Sequence, residues 1–350
     1  MAMNQPTTDN KLWYGLIAVF AIFALITSEL GIISIETSEA IWKSFHVHVL
    51  ILVLLYASMA QSWNVLGGYT GQTSFGHAVF FGIGAYGAAM ALVKYGIVPW
   101  PGMVVGAFLA ALVSALISWP CFRLRGHYFA IATFAIVEIF NRVFMMWDWV
   151  GGALGLDYPI MDDSWQFFLW SSGKNGYYRG VLILFIFVFG VVRYIEKRRL
   201  GYYMRAVREG QETAEALGVN STKVKLTAMA LSAFLAAFCG AFYAQYNYRV
   251  EPPMVLSLEM SMKFVLITIL GGMGTFWGPL LGAAVLIPLQ EYTRTYLAHL
   301  GPGVDQIIYG ALIIFMMVRQ PKGIMGFLEE FGIIGPKRNA AEKSSDGGEK

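Results

Sequence analysis

Between Leu12 and Val318 the chain repeatedly carries apolar stretches about 20 residues long, separated by short polar or glycine-rich connections. A helix of that length crosses the ~30 Å hydrocarbon core of a bilayer, whereas a soluble domain of this size would interrupt such runs far more often. Charge usage agrees, since 13% of residues are charged and 57% hydrophobic, against about 25% charged in soluble globular proteins. The sequence therefore predicts an all-α integral membrane protein. The apolar windows place helices near 13–34, 47–66, 75–93, 102–121, 127–146, 179–195, 226–246, 262–273, 276–294 and 304–319, about ten transmembrane helices in all. The eighth window is short and is divided from the ninth by Gly271, Gly272 and Gly274. That pair also reads as a re-entrant element, which widens the range to about nine to eleven spans. Only Lys11 precedes the first run, without the basic region and cleavage site of a secretory signal, so the run is expected to be a retained helix.

Basic residues are held on the cytoplasmic side of a membrane more strictly than acidic ones. Arg193, Lys197, Arg198, Arg199, Arg205, Arg208, Lys223 and Lys225 cluster in one connection, which marks it as cytoplasmic. Alternating spans then put Arg123, Arg125, Arg319 and Lys322 on the same side, Asp148, Asp157, Asp162 and Asp163 outside, and both termini in the cytoplasm. The expected organisation is an N-terminal segment 1–12, a membrane domain 13–327 with the long basic loop at about 196–225, and a cytoplasmic tail 328–350. From Lys337 onward the tail is polar, of mixed charge and without apolar periodicity, the pattern of disorder.

Several functions are disfavoured by what the residues are. The net charge of +3 is too small to suggest nucleic acid. Cys121 and Cys239 lie within apolar runs and imply no disulfide framework. His46 and His48 have no further ligand types close by, so no metal site is expected. Gly82-Ile-Gly-Ala-Tyr-Gly87 fits a dinucleotide fingerprint in letters only, because it sits inside a membrane helix with no preceding strand. No G-x-x-x-x-G-K-[ST] phosphate loop occurs, and no cluster of nucleophile, metal ligands or paired carboxylates suggests a membrane-embedded enzyme.

Three features carry chemistry. The glycines at 67–76 and 271–278 permit close helix contact or local unwinding, and Gln72, Ser74 and His77 beside the first break suit either a polar pathway or hydrogen bonding between helices. Glu138 is an acidic residue in the middle of an apolar span, with Asn141 at i+3 on nearly the same face. A charge there costs about 3 kcal/mol on insertion scales, so it is expected to face a partner such as Arg142, a cavity or another subunit. In the basic loop, Ala206, Ala214 and Leu217 alternate with charged residues up to Gly218, as in a short amphipathic surface helix ended by a left-handed glycine. Such a helix suits docking of a partner, and equally a solvated connector.

Glu212-Thr213-Ala214, three further residues and Gly218 resemble the E-A-A-x-x-x-G loop of ABC importer permeases, with Thr at the first Ala. Gly68-Tyr-Thr-Gly-Gln-Thr-Ser-Phe-Gly-His77, Phe80-Phe-Gly-Ile-Gly-Ala-Tyr86, Arg123-Leu-Arg-Gly-His-Tyr-Phe-Ala130, Glu138, the Arg205–Leu226 loop and Gly271-Gly-Met-Gly-Thr-Phe-Trp-Gly-Pro279 follow in an order and spacing similar to LivM-type permease subunits of branched-chain amino-acid ABC importers. The likeness extends over about residues 50–327. It implies a short cytoplasmic coupling helix docking in an ATPase cleft, with Arg205, Arg208, Glu212, Ala214, Glu215 and Gly218 as coupling residues, and a substrate pathway including Gln72, Ser74, His77, Glu138 and Asn141. It further implies a bacterial cytoplasmic membrane location and no cofactor of the chain's own, ATP being bound by two cytoplasmic ATPase subunits. The other implied partners are a second homologous permease subunit and a periplasmic or lipid-anchored binding protein. Relatives serving urea or short amides leave the ligand open, and a secondary transporter using Glu138 as proton carrier is the remaining alternative.

Overall fold

In the computed structural model of the chain, the described residues are 38–124, 126–159, 164–168, 174–296 and 323–330, with isolated positions between 307 and 318. They fold into helices α1 (Ser38–Thr70), α2 (His77–Val93), α3 (Pro99–Cys121), α4 (His127–Met146), α5 (Asn175–Glu196), α6 (Arg199–Glu209), α7 (Gln211–Ala216), α8 (Ser221–Asn247), α9 (Pro252–Val255), α10 (Leu258–Gly271), α11 (Gly278–Tyr296) and α12 (Gly323–Glu330). Eight of these match expected spans. The expected helix 13–34, nearly all of 304–319, both terminal segments, Arg125, Asp162, Asp163, Arg319 and Lys322 lie outside the described residues. Helices α1, α3, α4, α5 and α8, and the segment Pro252–Gly271 that α9 and α10 make together, are six stretches long and apolar enough to cross a membrane, and α2, with 17 residues, is a shorter apolar one.

Helix α1 is the axis of the bundle. In its most apolar window 94% of residues are buried, against 22% for α4. Helices α5, α8, α10 and α11 pack around α1, while α2, α3 and α8 pack on one another at its side. The face of α1 turned to these neighbours is polar in part, with Ser58, Gln61, Ser62 and Asn64 all fully buried. Their hydrogen bonds replace those that hydrocarbon cannot offer.

Small residues set the closest crossings, as expected where lipid supplies no hydrophobic drive for helices to associate. A Cβ on Gly240 of α8 would overlap the Phe81 carbonyl of α2, and a Cβ on Gly84 of α2 would overlap the Ala237 carbonyl of α8. Likewise Gly271 and Gly282 let α10 and α11 touch backbone to backbone. These two helices form an antiparallel hairpin about the 272–277 turn.

Successive helices alternate in direction. One end of the bundle gathers the 71–76, 122–124, 197–220 and 272–277 connections, and with them Arg123, Arg193 and the basic residues of 197–225. At the other end His48 hydrogen-bonds Tyr246, the Phe45 and Tyr292 rings meet at 5.4 Å, and a two-stranded antiparallel ribbon pairs Leu156 with Val250 and Asp157 with Arg249. Arg249 also lies 3.5 Å from Asp157 and 3.4 Å from Glu251. Asp148 and Asp157 therefore sit at the end opposite the basic cluster.

Candidate functional site: a broken helix pair and a two-helix loop

Helix α1 does not unwind at Gly67 or Gly68, which stay helical; it stops after Thr70, at Gly71 with φ +72°. The chain then folds back along the last two turns of α1. Trp63 Nε1 donates to the Ser74 carbonyl at 2.7 Å, and Ser232 Oγ donates to the Ser62 carbonyl at 2.6 Å while lying 2.7 Å from His77 Nε2. Helix α2 thus begins level with Ser62, about 12 Å short of the end of α1 at 1.5 Å per residue. A helix start inside an apolar bundle leaves amide donors that need internal acceptors. Hydroxyl groups supply them: Phe75 N–H donates to Thr133 Oγ1 at 3.0 Å, Gly76 N–H to Ser74 Oγ at 3.1 Å, and Ala78 N–H to Ser261 Oγ at 2.9 Å.

Ser74 and His77 are fully buried at this break and Gln72 is half-buried. His77 Nδ1 and Gln61 Nε2 are buried without a hydrogen-bond partner among the described residues. Glu138 and Asn141 are on α4, and no hydrogen bond or ion pair among the described residues joins them to the break. Glu138 instead accepts from Arg142 Nε at 2.8 Å across one helical turn, the two side chains being 51% and 68% exposed on the open face of α4. Residues not singled out from the sequence, Ser62, Thr133, Ser232 and Ser261, hold the break together. Their only sequence signal is a hydroxyl in an apolar run, which membrane helices use widely for ordinary packing.

The basic loop contains two helices rather than one. Helix α6 buries Gly201, Met204 and Val207 at i, i+3 and i+6 against the bundle, and Arg205 pairs with Glu196 at 2.7 Å while Arg193 pairs with the same carboxylate at 2.9 Å. Gly210, extended with φ −178°, turns the chain into α7. Buried Ala214 seats α7, and Lys225 Nζ, from the first turns of α8, donates to Gln211 Oε1 at 2.6 Å. Glu215 accepts from Gln211 at 3.1 Å and from the Ser221 hydroxyl. Gly218 follows with φ +86°, the left-handed conformation expected of it. Around buried Ala214, α7 and the residues after it expose Glu212, Thr213, Glu215, Ala216, Leu217 at 81% and Gly218; Arg208, also exposed, reaches back to the glycine-rich turns.

Comparison with known proteins falls on this same framework. The profile of the family described as branched-chain amino acid transport system / permease component matches residues 45–317. The high-affinity branched-chain amino acid transport system permease protein LivM of Escherichia coli (strain K12) is 27% identical over 347 residues, 93% of this chain and 77% of that protein. The corresponding BraD protein of Pseudomonas aeruginosa is 25% identical over 77% of this chain and 91% of its own length. A probable LivM of Methanocaldococcus jannaschii is 23% identical over 79% of this chain and 92% of its own length. No solved structure is a significant match. Because the family profile runs from α1 through the break, both loop helices and the α10–α11 hairpin, this chain belongs to the permease components of branched-chain amino acid transport systems.

Proposed function

We propose that this chain is a membrane subunit through which an ATP-driven importer carries branched-chain amino acids delivered by an external binding protein. The observation that carries the reading is the family match over residues 45–317, which takes in a loop whose outward residues, Glu212, Leu217 and Gly218, are exposed beyond the packed bundle. One of two cytoplasmic ATPase subunits would dock on that loop, the other on the second homologous permease that completes the pore, and the two ATPases would bind the ATP. The break supports a pathway reading for Gln72, Ser74 and His77, since irregular backbone at membrane depth occurs where it is enclosed by protein or lines a pathway, and His77 Nδ1 and Gln61 Nε2 are buried there without a hydrogen-bond partner among the described residues. Glu138 on the open face of α4, and Asn141, whose Oδ1 is buried without a hydrogen-bond partner among the described residues, would border the same pathway where the second permease packs, which relieves the cost of leaving the ion pair in lipid.

The test is ATP-dependent uptake of radiolabelled L-leucine into vesicles holding the complete complex. Within that assay Glu138→Leu should lower uptake about tenfold or more, because Arg142 then lies uncompensated, and Glu138→Gln should be milder because it keeps a hydrogen bond. Parental uptake in both variants removes Glu138 from the pathway, and uptake of urea in place of leucine moves the substrate class. Sidedness has its own measurement. A reporter active only in the cytoplasm should be active at Gly210 and after Gly335, and silent at Asp162; activity at all three sites contradicts the orientation.

A further inference from the structure

The basic loop and the glycine-rich turns of the bundle meet at one side chain. Arg208, in the last turn of α6, lays its stem across Gly71: a Cβ on that glycine would lie 3.3 Å from Arg208 Cγ and 3.8 Å from its Cα. The guanidinium rests on Gly274, where a Cβ would overlap it, and Nη2 lies 3.5 Å from the Met273 carbonyl oxygen. Gly71 starts the folded-back segment between α1 and α2. Gly274 sits in the turn between α10 and α11. Both hold positive φ, +72° and +81°, so glycine serves here for backbone conformation and for the approach of the guanidinium together.

The turn that Arg208 covers is fastened to the axis of the bundle. Gly274 N–H donates to Asn64 Oδ1 at 2.9 Å, and Asn64 Nδ2 donates to the Thr275 carbonyl at 2.9 Å. A second route reaches the same turn, because the Arg193 guanidinium lies 5.1 Å from the Phe276 ring centroid and shares Glu196 with Arg205. Displacement of α6 therefore meets α1, the break and the α10–α11 hairpin at once, and Arg208 is the residue that touches both glycine turns directly.

We infer that Arg208 is the positioning residue that carries movement of the α6–α7 loop into the 71–76 segment and the 272–277 turn, and that it is not a docking contact for the ATPase. The inference rests on the proposed coupling role of the loop. A guanidinium suits this role because its planar head lies flat on a backbone with no side chain, and its long stem spans the gap between the two glycines.

The test uses the complete complex in vesicles, with radiolabelled L-leucine and its binding protein, and reads leucine transported per ATP hydrolysed. In Arg208→Ala the ATPase should co-purify as with the parent and basal hydrolysis should persist, while the ratio falls about tenfold or more. The ratio decides, because a packing defect lowers the amount of active complex without changing it. A parental ratio, or loss of ATPase association, overturns the inference. Should Arg208→Ala insert poorly, Arg208→Met keeps the stem on Gly71 and is read the same way, a parental ratio again overturning it. Parental ATPase binding in Glu212→Lys and Gly218→Val alike would instead remove the coupling reading on which the inference rests.

Discussion

Gly240→Val should leave the protein unable to hold its native bundle, with a loss of about 3 kcal/mol or more. The obstacle is backbone on both sides: the Phe81 carbonyl faces Gly240, and Ala237 of the same helix presses its carbonyl on Gly84. No rotamer change relieves such an overlap, so α2 and α8 must separate and give up the contacts of Phe81, Ala85, Ala237 and Ala241, all at most 1% exposed. Lipid offers nothing to push them together again. The measurement is the thermal unfolding midpoint and yield of detergent-solubilised protein. Gly190→Ala is the control, since nothing lies within 4 Å of its Cβ position in α5; it should be neutral or stabilising by up to about 1 kcal/mol from helix propensity. A parental midpoint for Gly240→Val would show that α2 and α8 do not cross at this distance.

The second large effect is expected at the tip of the basic loop. Leu217→Asp and Glu212→Lys should each weaken association with the ATPase by about 2 kcal/mol, roughly thirtyfold, as for central residues of an interface. The Glu212→Lys loss should vary more with salt. Gly218→Val acts differently. Open space surrounds its Cβ position, so the cost is the strain of φ +86° alone, about 1–2 kcal/mol, and it misdirects Val219 and Asn220 on their way into α8. Co-purification at graded salt, with leucine-stimulated ATP hydrolysis alongside, reads all three. If every variant binds and hydrolyses as the parent does, the loop is a connector only.

What the sequence made legible was the part governed by a single physical requirement. Apolar length located the long helices, and the left-handed turn at Gly218 followed from its place after an amphipathic run. Boundaries failed where polar residues serve the helices themselves. Helix α10 begins at Leu258, earlier than the apolar window, because Ser257 Oγ accepts from Met260 N–H at 3.2 Å and Glu259 pairs with Lys263 at 2.9 Å; in a hydropathy window these residues read as loop. Helix α1 passes Gly67 and Gly68 unbroken because those glycines serve the approach of Trp63 and Gly274 rather than a turn. The split of the loop into α6 and α7 at Gly210 was hidden for a similar reason, since an extended glycine and a surface glycine look alike in letters. The return of 71–76 along α1 depends on partners at Thr133, Ser232 and Ser261, far away in sequence, and no local pattern announces them.

The polar face of α1 also sets a timetable for synthesis. Ser62 and Ala60 offer their carbonyls to Ser232 and Thr268, which lie 170 and 208 positions downstream. At about 5–20 residues per second, the nascent chain waits roughly 10–40 s before the farther partner exists. During that wait the helix satisfies itself: Ser58 Oγ donates to the Leu54 carbonyl at 2.8 Å, Ser62 Oγ to the Ser58 carbonyl at 2.8 Å, and Asn64 Nδ2 to Gln61 Oε1 at 3.3 Å. These bonds need no other helix, so an axis laden with serine and amide groups can reside in the bilayer until its neighbours are made.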